Sequence, residues 1–422
     1  MKKRVVAFVI SLCLIFSSLC VRLFTLTVIN KTVSSQSSTR SKEIARSRGT
    51  IYDRNLSPLN NNSITHTACI KPTIEAYKLL LSVKESNDTL LQIKKGKFTT
   101  KIITDTEKYS NCSDIKILKT FERYTDNRLI HILGYTDKSD KGIYGIEKYY
   151  NDYLAETGGT LSVTYSADAT GRMLTAERTE IRDNGYYDKE GIVLTIDKGM
   201  QEILENALVN GNIAKGAGVI LDIQTNEVLA CASMPVFNRN NLKEAVNDSN
   251  LPFLNRAFSA FPVGSVFKLV TSACALENNI TLKKFNCTGK IEFNNNVFCC
   301  NKLEGHKEID FDTAIAKSCN PYFIKLGVDI GAERLLDTAK KFNFGKSVDF
   351  GNGFTTDKGT LPLITDFVCN ADIGNFAFGQ GKLSATPIQI AAMVSTIGNG
   401  GYYIEPSLIV GIADKNGVIT EN

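Results

Sequence analysis

The segment FPVGSVFKLVTSACALE, residues 261–277, runs from a glycine-containing turn directly into an apolar stretch with helical spacing. Ser265 lies at the first turn of the predicted helix, and Lys268 follows three residues later. Positions three apart on a helix share one face. Two interpretations are open at this point. Either Ser265 caps the helix and Lys268 is solvated, or Ser265 is a nucleophile and Lys268 is its base.

The second interpretation requires a lysine that can lose its proton. Burial lowers the pKa of a lysine, and a helix N-terminus offers a positive field and free N–H groups where an oxyanion would form. The pattern S-x-x-K is not specific by itself, because it also occurs at Ser113–Lys116. The motif therefore needs a second motif elsewhere in the chain before a choice is possible.

A second candidate motif is Lys317-Ser318-Cys319-Asn320-Pro321, which contains the one S-x-N pattern of the sequence. It lies between two predicted helices. A hydroxyl and an amide two residues apart on such a loop can face a shared cleft, where they relay a proton and bind a peptide backbone. The alternative is that Ser318 and Asn320 only cap the two helices.

Together and in this order, Ser265-x-x-Lys268 and Ser318-x-Asn320 resemble the signature of the active-site serine penicillin-recognising enzymes. Further segments resemble the class B, monofunctional penicillin-binding proteins, and they are collinear from the N-terminus to near Pro406. These segments are Arg22–Phe24, Arg48–Arg54, Gly142–Lys148, Leu194–Asp197 with Gln201, Asn255–Ala257, Gly379–Gly381 and Thr386–Pro387.

The resemblance implies D,D-transpeptidation of peptidoglycan. Ser265 would attack a stem peptide at its penultimate D-Ala, and Lys268 would accept the serine proton. Ser318 would pass a proton to the leaving amine, and Asn320 would hold the backbone of the acyl donor. β-Lactams would acylate Ser265 in the same way, and neither a metal nor an organic cofactor is implied. Expected partners are peptidoglycan stem peptides, a membrane glycosyltransferase and other proteins of wall synthesis.

The third motif of the resembling family, K-[ST]-G, does not occur in this sequence. The nearest pattern, Lys415-Asn416-Gly417, lacks the hydroxyl and has the setting of a hairpin turn. We therefore expect a chain that is truncated before this motif and does not turn over substrate on its own. The alternatives are a catalytically incomplete scaffold for wall assembly and, with less support, a β-lactam sensor or hydrolase.

The N-terminal 30 residues differ in character from the rest. Lys2, Lys3 and Arg4 precede an apolar run of 17 residues, Val5–Val21. As a helix this run would span about 25 Å, the short end of a membrane crossing. A cleaved signal peptide is the alternative, but no small-residue cleavage site follows the run. We expect an uncleaved single-pass anchor in the cell membrane, with a cytoplasmic N-terminus and an extracytoplasmic catalytic domain.

The net charge argues against nucleic acid as a partner. The net charge of +5 comes from 49 basic and 44 acidic residues, too small and dispersed an excess to suggest nucleic-acid binding.

Of the 11 cysteines, the nine outside the anchor are an odd number, so they cannot all form disulfides. Cys287 and the Cys299–Cys300 pair are close enough in sequence for one bridge, but we expect most of the cysteines to be scattered, buried free thiols. We expect no set of four metal ligands, and we expect His306 to be structural.

Hydrophobic periodicity predicts an α+β fold, with strands followed by helices. We divide the chain into a tip and membrane helix (1–30), a polar linker (31–47), a small extended pedestal (48–190) and an incomplete penicillin-binding domain (191–422). Residues 217–232 are predicted to form a hairpin. Predicted helices cover 74–84, 201–208, 267–277, 311–316, 322–329, 332–342 and 389–397.

Overall fold

The structure is a computed structural model, which describes residues 2–25, 38–293 and 296–420. Its helices are α1 (Lys2–Phe24), α2 (Ile74–Ser82), α3 (Asn87–Lys94), α4 (Glu107–Ser110), α5 (Ile130–Leu133), α6 (Gly145–Tyr149), α7 (Asn151–Glu156), α8 (Lys198–Asn210), α9 (Leu242–Asn247), α10 (Lys268–Glu277), α11 (Phe311–Ala316), α12 (Asn320–Ile330), α13 (Ala332–Lys341), α14 (Asn370–Ala377) and α15 (Pro387–Gly398). Short 3-10 helices cover Gly264–Phe267 and Ile364–Asp366.

The strands are β1 (Ser38–Arg46), β2 (Thr50–Tyr52), β3 (Ser63–Ile70), β4 (Thr99–Ile103), β5 (Ile115–Glu122), β6 (Tyr135–Thr136), β7 (Gly142–Tyr144), β8 (Thr160–Ala167), β9 (Glu180–Asn184), β10 (Gly191–Leu194), β11 (Gly216–Leu221), β12 (Val228–Met234), β13 (Phe261–Pro262), β14 (Phe285–Cys287), β15 (Lys290–Phe293), β16 (Asn296–Cys299), β17 (Lys307–Ile309), β18 (Ser384–Ala385), β19 (Ile409–Ala413) and β20 (Ile419–Thr420). The α+β class is therefore confirmed.

The chain forms two compact units. The first comprises residues 1–47, 62–123 and 158–188, and the second comprises residues 48–61, 124–157 and 189–422. This division differs from a pedestal that ends at residue 190, because β2 pairs in parallel with β10 inside the second unit. Local periodicity did not indicate this pairing, because the two strands are distant in sequence. The four domain ranges stay a prediction.

The first unit contains two three-stranded sheets, with strand orders β1-β8-β9 and β4-β3-β5. The second sheet packs with α2 and α3 around a small apolar core that includes Ile70, Leu80 and Ile93. Part of the predicted linker over 31–47 has regular structure, because Ser38–Arg46 forms β1 and pairs antiparallel with β8 along its length. The exposed polar side chains of β1 do not prevent pairing, which uses the backbone. Residues 31–37 lie outside the described residues.

The second unit contains a four-stranded sheet of order β2-β10-β19-β20 and the antiparallel hairpin β11-β12. The hairpin and the helices α8, α10, α11, α12, α13 and α15 confirm the predictions for these segments. The largest core lies around α10, α12 and α14, where Phe267, Tyr322 and Phe323 are fully buried. This core positions the N-terminal ends of α10 and α12.

At the N-terminus, α1 covers Lys2–Phe24. Among residues 2–25, 38–293 and 296–420, no helix combines the length and the apolar character that a membrane crossing requires. The anchor over residues 1–30 stays a prediction.

Candidate active site

Ser265 lies in the 3-10 helix Gly264–Phe267, which continues into α10. Gly264 has a φ of +67°, a conformation that favours glycine, and its N–H donates to the carbonyl of Gly379 over 2.9 Å. The turn leaves Ser265 exposed. The cap residue of α10 is Phe267, so the interpretation of Ser265 as the cap of this helix is not supported.

Lys268 is the first residue of α10, and only 4% of its surface is exposed. Its Nζ donates to the Ser318 carbonyl at 2.8 Å, to Ser318 Oγ at 3.0 Å and to Asn320 Oδ1 at 2.6 Å. Burial lowers the pKa of Lys268 from 10.5 to about 8, while the nearby thiols of Cys300 and Cys319 oppose this shift. The alternative of a solvated lysine is therefore wrong.

Ser318 and Asn320 lie on the turn between α11 and α12. Ser318 has a φ of +49°, in the left-handed region that non-glycine residues rarely adopt. Its N–H donates to the Ile315 carbonyl at 3.0 Å, which fixes the turn at the end of α11. Asn320 opens α12, and its Nδ2 donates to the Cys299 carbonyl at 3.2 Å. The turn thus directs both side chains toward Lys268.

Three of the four predicted site residues, Lys268, Ser318 and Asn320, are joined by hydrogen bonds. In the described part of the chain, no hydrogen bond joins Ser265 to this group. Catalytic hydrogen bonds are often long in the absence of substrate. The arrangement provides an exposed hydroxyl, a lysine whose pKa is lowered toward neutral pH, and a serine hydroxyl that can exchange a proton with that lysine.

A buried hydrogen bond holds α10 in place. Thr271 Oγ1 donates to the carbonyl of Ala377 at 2.7 Å, and both residues are fully buried. Ala377 is the last residue of α14, where helical carbonyls have no partner within their own helix. The Phe267 and Phe376 rings pack on the same interface, with their centroids 4.8 Å apart. These contacts set the position of Lys268 one turn earlier.

Three further polar features lie outside this group. Lys415–Gly417 forms the turn of the β19-β20 hairpin, as expected from its sequence setting. The carboxylate of Asp197 caps α8 by accepting from the Met200 N–H at 3.0 Å. Asp222 accepts from backbone N–H groups of its own turn, and these bonds lower its pKa. Neither carboxylate belongs to the site.

Most of the cysteines outside residues 1–30 are buried free thiols, as expected, but two other expectations about them are wrong. Cys287, Cys299 and Cys300 are free thiols, so the suggested bridge is not formed. The expectation that four metal ligands do not lie together is wrong, because one ligand atom each from Cys287, Cys300, His306 and Cys319 lies within 4.8 Å of the other three. His306 belongs to this cluster. Its ligands are spaced by 13, 6 and 13 residues, so the cluster does not show the short C-x-x-C spacing that marks many metal sites in a sequence.

Comparison with known proteins gives one family match. Residues 216–422 match the family model described as "Penicillin binding protein transpeptidase domain". Stage V sporulation protein D of Bacillus subtilis is 29% identical over 395 residues, covering 85% of this chain and 58% of that protein. Peptidoglycan D,D-transpeptidase FtsI of Escherichia coli is 27% identical over 281 residues, covering 65% of this chain and 45% of that protein. The chain therefore spans roughly half the length of these two relatives.

Solved structures agree on the fold. A structure of a peptidoglycan synthase complex superposes with a TM-score of 0.65 at 23% identity, covering 99% of this chain and 81% of that chain. Penicillin binding protein 3 of a Mycobacterium, complexed with ampicillin, gives a TM-score of 0.60 at 22% identity, covering 91% of this chain and 70% of that chain. With the collinear motifs, the family match shows that residues 216–422 of this chain form a penicillin-binding protein transpeptidase domain.

Proposed function

We propose that the chain is the penicillin-binding part of a peptidoglycan D,D-transpeptidase that works through an acyl-enzyme on Ser265. The observation that carries this proposal is the environment of Lys268. Its Nζ is buried, its pKa is lowered to about 8, and it is hydrogen-bonded to Ser318 Oγ and Asn320 Oδ1. A solvated surface lysine would have none of these properties.

In the acylation step, Ser265 Oγ attacks the carbonyl carbon of the penultimate D-Ala of a stem peptide. Neutral Lys268 accepts the hydroxyl proton, and an ester forms as the peptide bond to the terminal D-Ala breaks. The proton reaches the leaving amine through Ser318 Oγ, which lies 3.0 Å from Lys268 Nζ. Asn320 positions the backbone of the donor peptide.

In the second step, an amine from a neighbouring stem peptide attacks the ester, an amide cross-link forms as the ester C–O bond breaks, and a proton from the amine restores the Ser265 hydroxyl. A β-lactam would follow the first step alone, because opening of its ring leaves a stable ester on Ser265. The N-terminal end of the helix at Ser265 provides a positive field for the oxyanion of both steps.

The proposed location is the cell membrane, with residues 1–30 as a single-pass anchor and the remainder outside the cytoplasm. The proposed partners are peptidoglycan, a membrane glycosyltransferase and other wall-synthesis proteins. Support comes from two similar structures, one of a peptidoglycan synthase complex and one of a complex between PBP2 and MreC of Helicobacter pylori.

The test is acylation by a fluorescent penicillin, followed by mass spectrometry of the labelled peptide. It uses the 422-residue chain and the full product of its gene, read past codon 422. If an in-frame K-[ST]-G follows, we expect a covalent adduct on Ser265 in the gene product and none in its Ser265→Ala variant. A label on another residue contradicts the proposed nucleophile. An immediate stop codon and no label would favour the wall-assembly scaffold.

A further inference from the structure

Three cysteines and one histidine of the second unit converge beside the candidate active site. The ligand atoms of Cys287, Cys300, His306 and Cys319 all lie within 4.8 Å of one another. The three cysteines are buried and His306 is half-buried, so solvent has little access to the cluster. We propose that these four residues bind one Zn²⁺ ion in a closed tetrahedral site.

The distances fit tetrahedral coordination. With Zn–S bonds of about 2.3 Å and Zn–N bonds of about 2.05 Å, tetrahedral geometry separates two sulfurs by about 3.8 Å and a sulfur and a nitrogen by about 3.6 Å. Cys300 Sγ lies 3.9 Å from Cys319 Sγ and 3.5 Å from His306 Nδ1. Both separations are close to the values that a bound zinc ion requires.

The backbone brings the four ligands together from distant positions. Cys287 ends β14, whose partner strand β17 begins directly after His306. Gly305 has a φ of +81°, and a Cβ there would lie 2.0 Å from the Cys287 carbonyl oxygen. This close approach is possible only for glycine, and it holds His306 next to Cys287. Cys300 follows β16, and Cys319 is the cap residue of α12.

Backbone amides also face the sulfurs. The N–H groups of Gly289 and His306 donate to the sulfur of Cys287, and the Tyr322 N–H donates to the sulfur of Cys319. Burial opposes the thiolate in the metal-free cluster and raises the pKa of Cys319, whereas these N–H donors stabilise the thiolate, the form that binds a metal. The three thiols of the cluster cannot all pair with one another in disulfides, and a disulfide would not involve the His306 imidazole. Metal binding uses all four side chains. Three thiolates and one imidazole form a donor set found in structural zinc sites.

The ion would also fix the turn that carries two of the proposed catalytic residues. Cys319 stands between Ser318 and Asn320, and Asn320 Nδ2 donates to the carbonyl of Cys299, the neighbour of Cys300. Two ligands therefore hold the backbone on either side of the Asn320 amide. This positioning role rests on the proposed function, whereas zinc binding itself does not.

The experiment measures zinc directly in the purified 422-residue chain. The chain is isolated without chelators, dialysed, and analysed for metals by plasma mass spectrometry. We expect about one zinc ion per chain. Replacement of the zinc by Co²⁺ is expected to give the visible and sulfur-to-cobalt absorption bands of a tetrahedral thiolate site. This measurement needs no variant and no catalytic activity.

Cys300→Ser removes a ligand, and Cys299→Ser is the matched control, because Cys299 is exposed and lies outside the cluster. We expect Cys300→Ser to retain less than about one tenth of the zinc and Cys299→Ser to retain all of it. Zn²⁺ added to the metal-free chain should raise the melting temperature of the unmodified chain and of Cys299→Ser. A chain that stays free of zinc in Zn²⁺-containing buffer overturns the proposal, as does a cobalt spectrum unchanged by Cys300→Ser.

Discussion

Lys268 Nζ lies 2.6 Å from Asn320 Oδ1, although the two residues are 52 positions apart in the chain. Each is the first residue of its helix, so the N-terminal ends of α10 and α12 meet at this contact. Both helix ends carry a partial positive charge. They disfavour an additional ammonium ion and favour a neutral amine or an oxyanion at the same place, which is the electrostatic environment that acyl transfer needs.

The first prediction concerns the titration of Lys268. Burial lowers its pKa to about 8, so Lys268 should be a neutral amine in half of the molecules near that pH. The titratable groups that face it are the thiols of Cys300 and Cys319, which act in the opposite direction. A carbon NMR titration of ε-labelled lysines should show one resonance with a midpoint near pH 8. That resonance should be missing from Lys268→Met.

The same shift gives the sign of a stability effect. Between about pH 8 and 10.5, the folded chain binds fewer protons at Lys268 than the unfolded chain does. The free energy of unfolding should therefore rise with pH across this window. Denaturant unfolding of the unmodified chain and of Lys268→Met measures it. If the difference in the free energy of unfolding between the two chains does not change from pH 8 to 10.5, the lowered pKa of Lys268 is contradicted.

A second prediction uses Asn320→Asp, which places a carboxylate against Lys268 Nζ. An opposite charge at this distance favours the ammonium form, so the pKa of Lys268 should rise by about 1–3 units. The NMR titration described above reports this change. Lys317→Gln is the control, because it removes a charge from the same turn without touching Nζ contacts. An equal midpoint in the unmodified chain and Asn320→Asp would argue against direct contact.

A third prediction concerns acylation itself. If Lys268 is the base, Lys268→Met in the gene product should slow penicillin acylation by about 10²–10⁴-fold, the usual contribution of a positioned general base. Stopped-flow labelling with a fluorescent penicillin measures the rate. Lys325→Met is a suitable control, since Lys325 pairs with Asp329 on α12 and does not contact the site. Equal rates for Lys268→Met and the unmodified protein would exclude the proposed role.

A fourth prediction concerns the buried hydrogen bond between α10 and α14. Thr271→Val keeps the shape of the side chain but leaves the Ala377 carbonyl unpaired. The free energy of unfolding should fall by about 1–3 kcal/mol, the cost of an unsatisfied buried polar group. Thr271→Ser keeps the hydroxyl donor and removes only one methyl group, so its free energy of unfolding should fall by less than that of Thr271→Val. Urea unfolding distinguishes the two, and a Thr271→Val loss no larger than that of Thr271→Ser would contradict the assignment.

A fifth prediction concerns the backbone behind Ser265. A Cβ on Gly379 would lie 1.9 Å from the carbonyl oxygen of Gly264, so Gly379→Ala must displace the turn that presents Ser265. Gly381 also has a positive φ, +78°, but its nearest neighbour would lie 3.8 Å away. Both variants bear the strain of a positive φ, and Gly379→Ala alone adds a clash. Its melting temperature should be clearly lower than that of Gly381→Ala.

Local patterns predicted a large part of the second unit. The helix over Phe311–Ala316 has the predicted bounds, and the hairpin of residues 217–232 forms as expected. These features depend on side-chain periodicity and turn residues within a few positions of one another. The strand Ser38–Arg46 was not predicted, because its pairing with β8 uses backbone groups and leaves polar side chains exposed.

The candidate site divides in the same way. Sequence spacing placed Ser265 and Lys268 one turn apart, and the motif order identified Ser318 and Asn320 through their family resemblance. Burial of Lys268 and its contact with Asn320 depend on how α10 packs against α12, which no local pattern records. The cluster of Cys287, Cys300, His306 and Cys319 was missed for the same reason, since its ligands are up to 32 positions apart in the sequence.

The sequence by itself therefore determined six helices and the β11-β12 hairpin of the second unit, and the identity of the chemical groups in its motifs. The tertiary structure decided which of those groups meet. The physical reason is that helix and turn formation respond to neighbours within a few residues, whereas burial and side-chain convergence follow from close packing of distant segments. The pKa of Lys268 and the four-ligand cluster both arise from that packing.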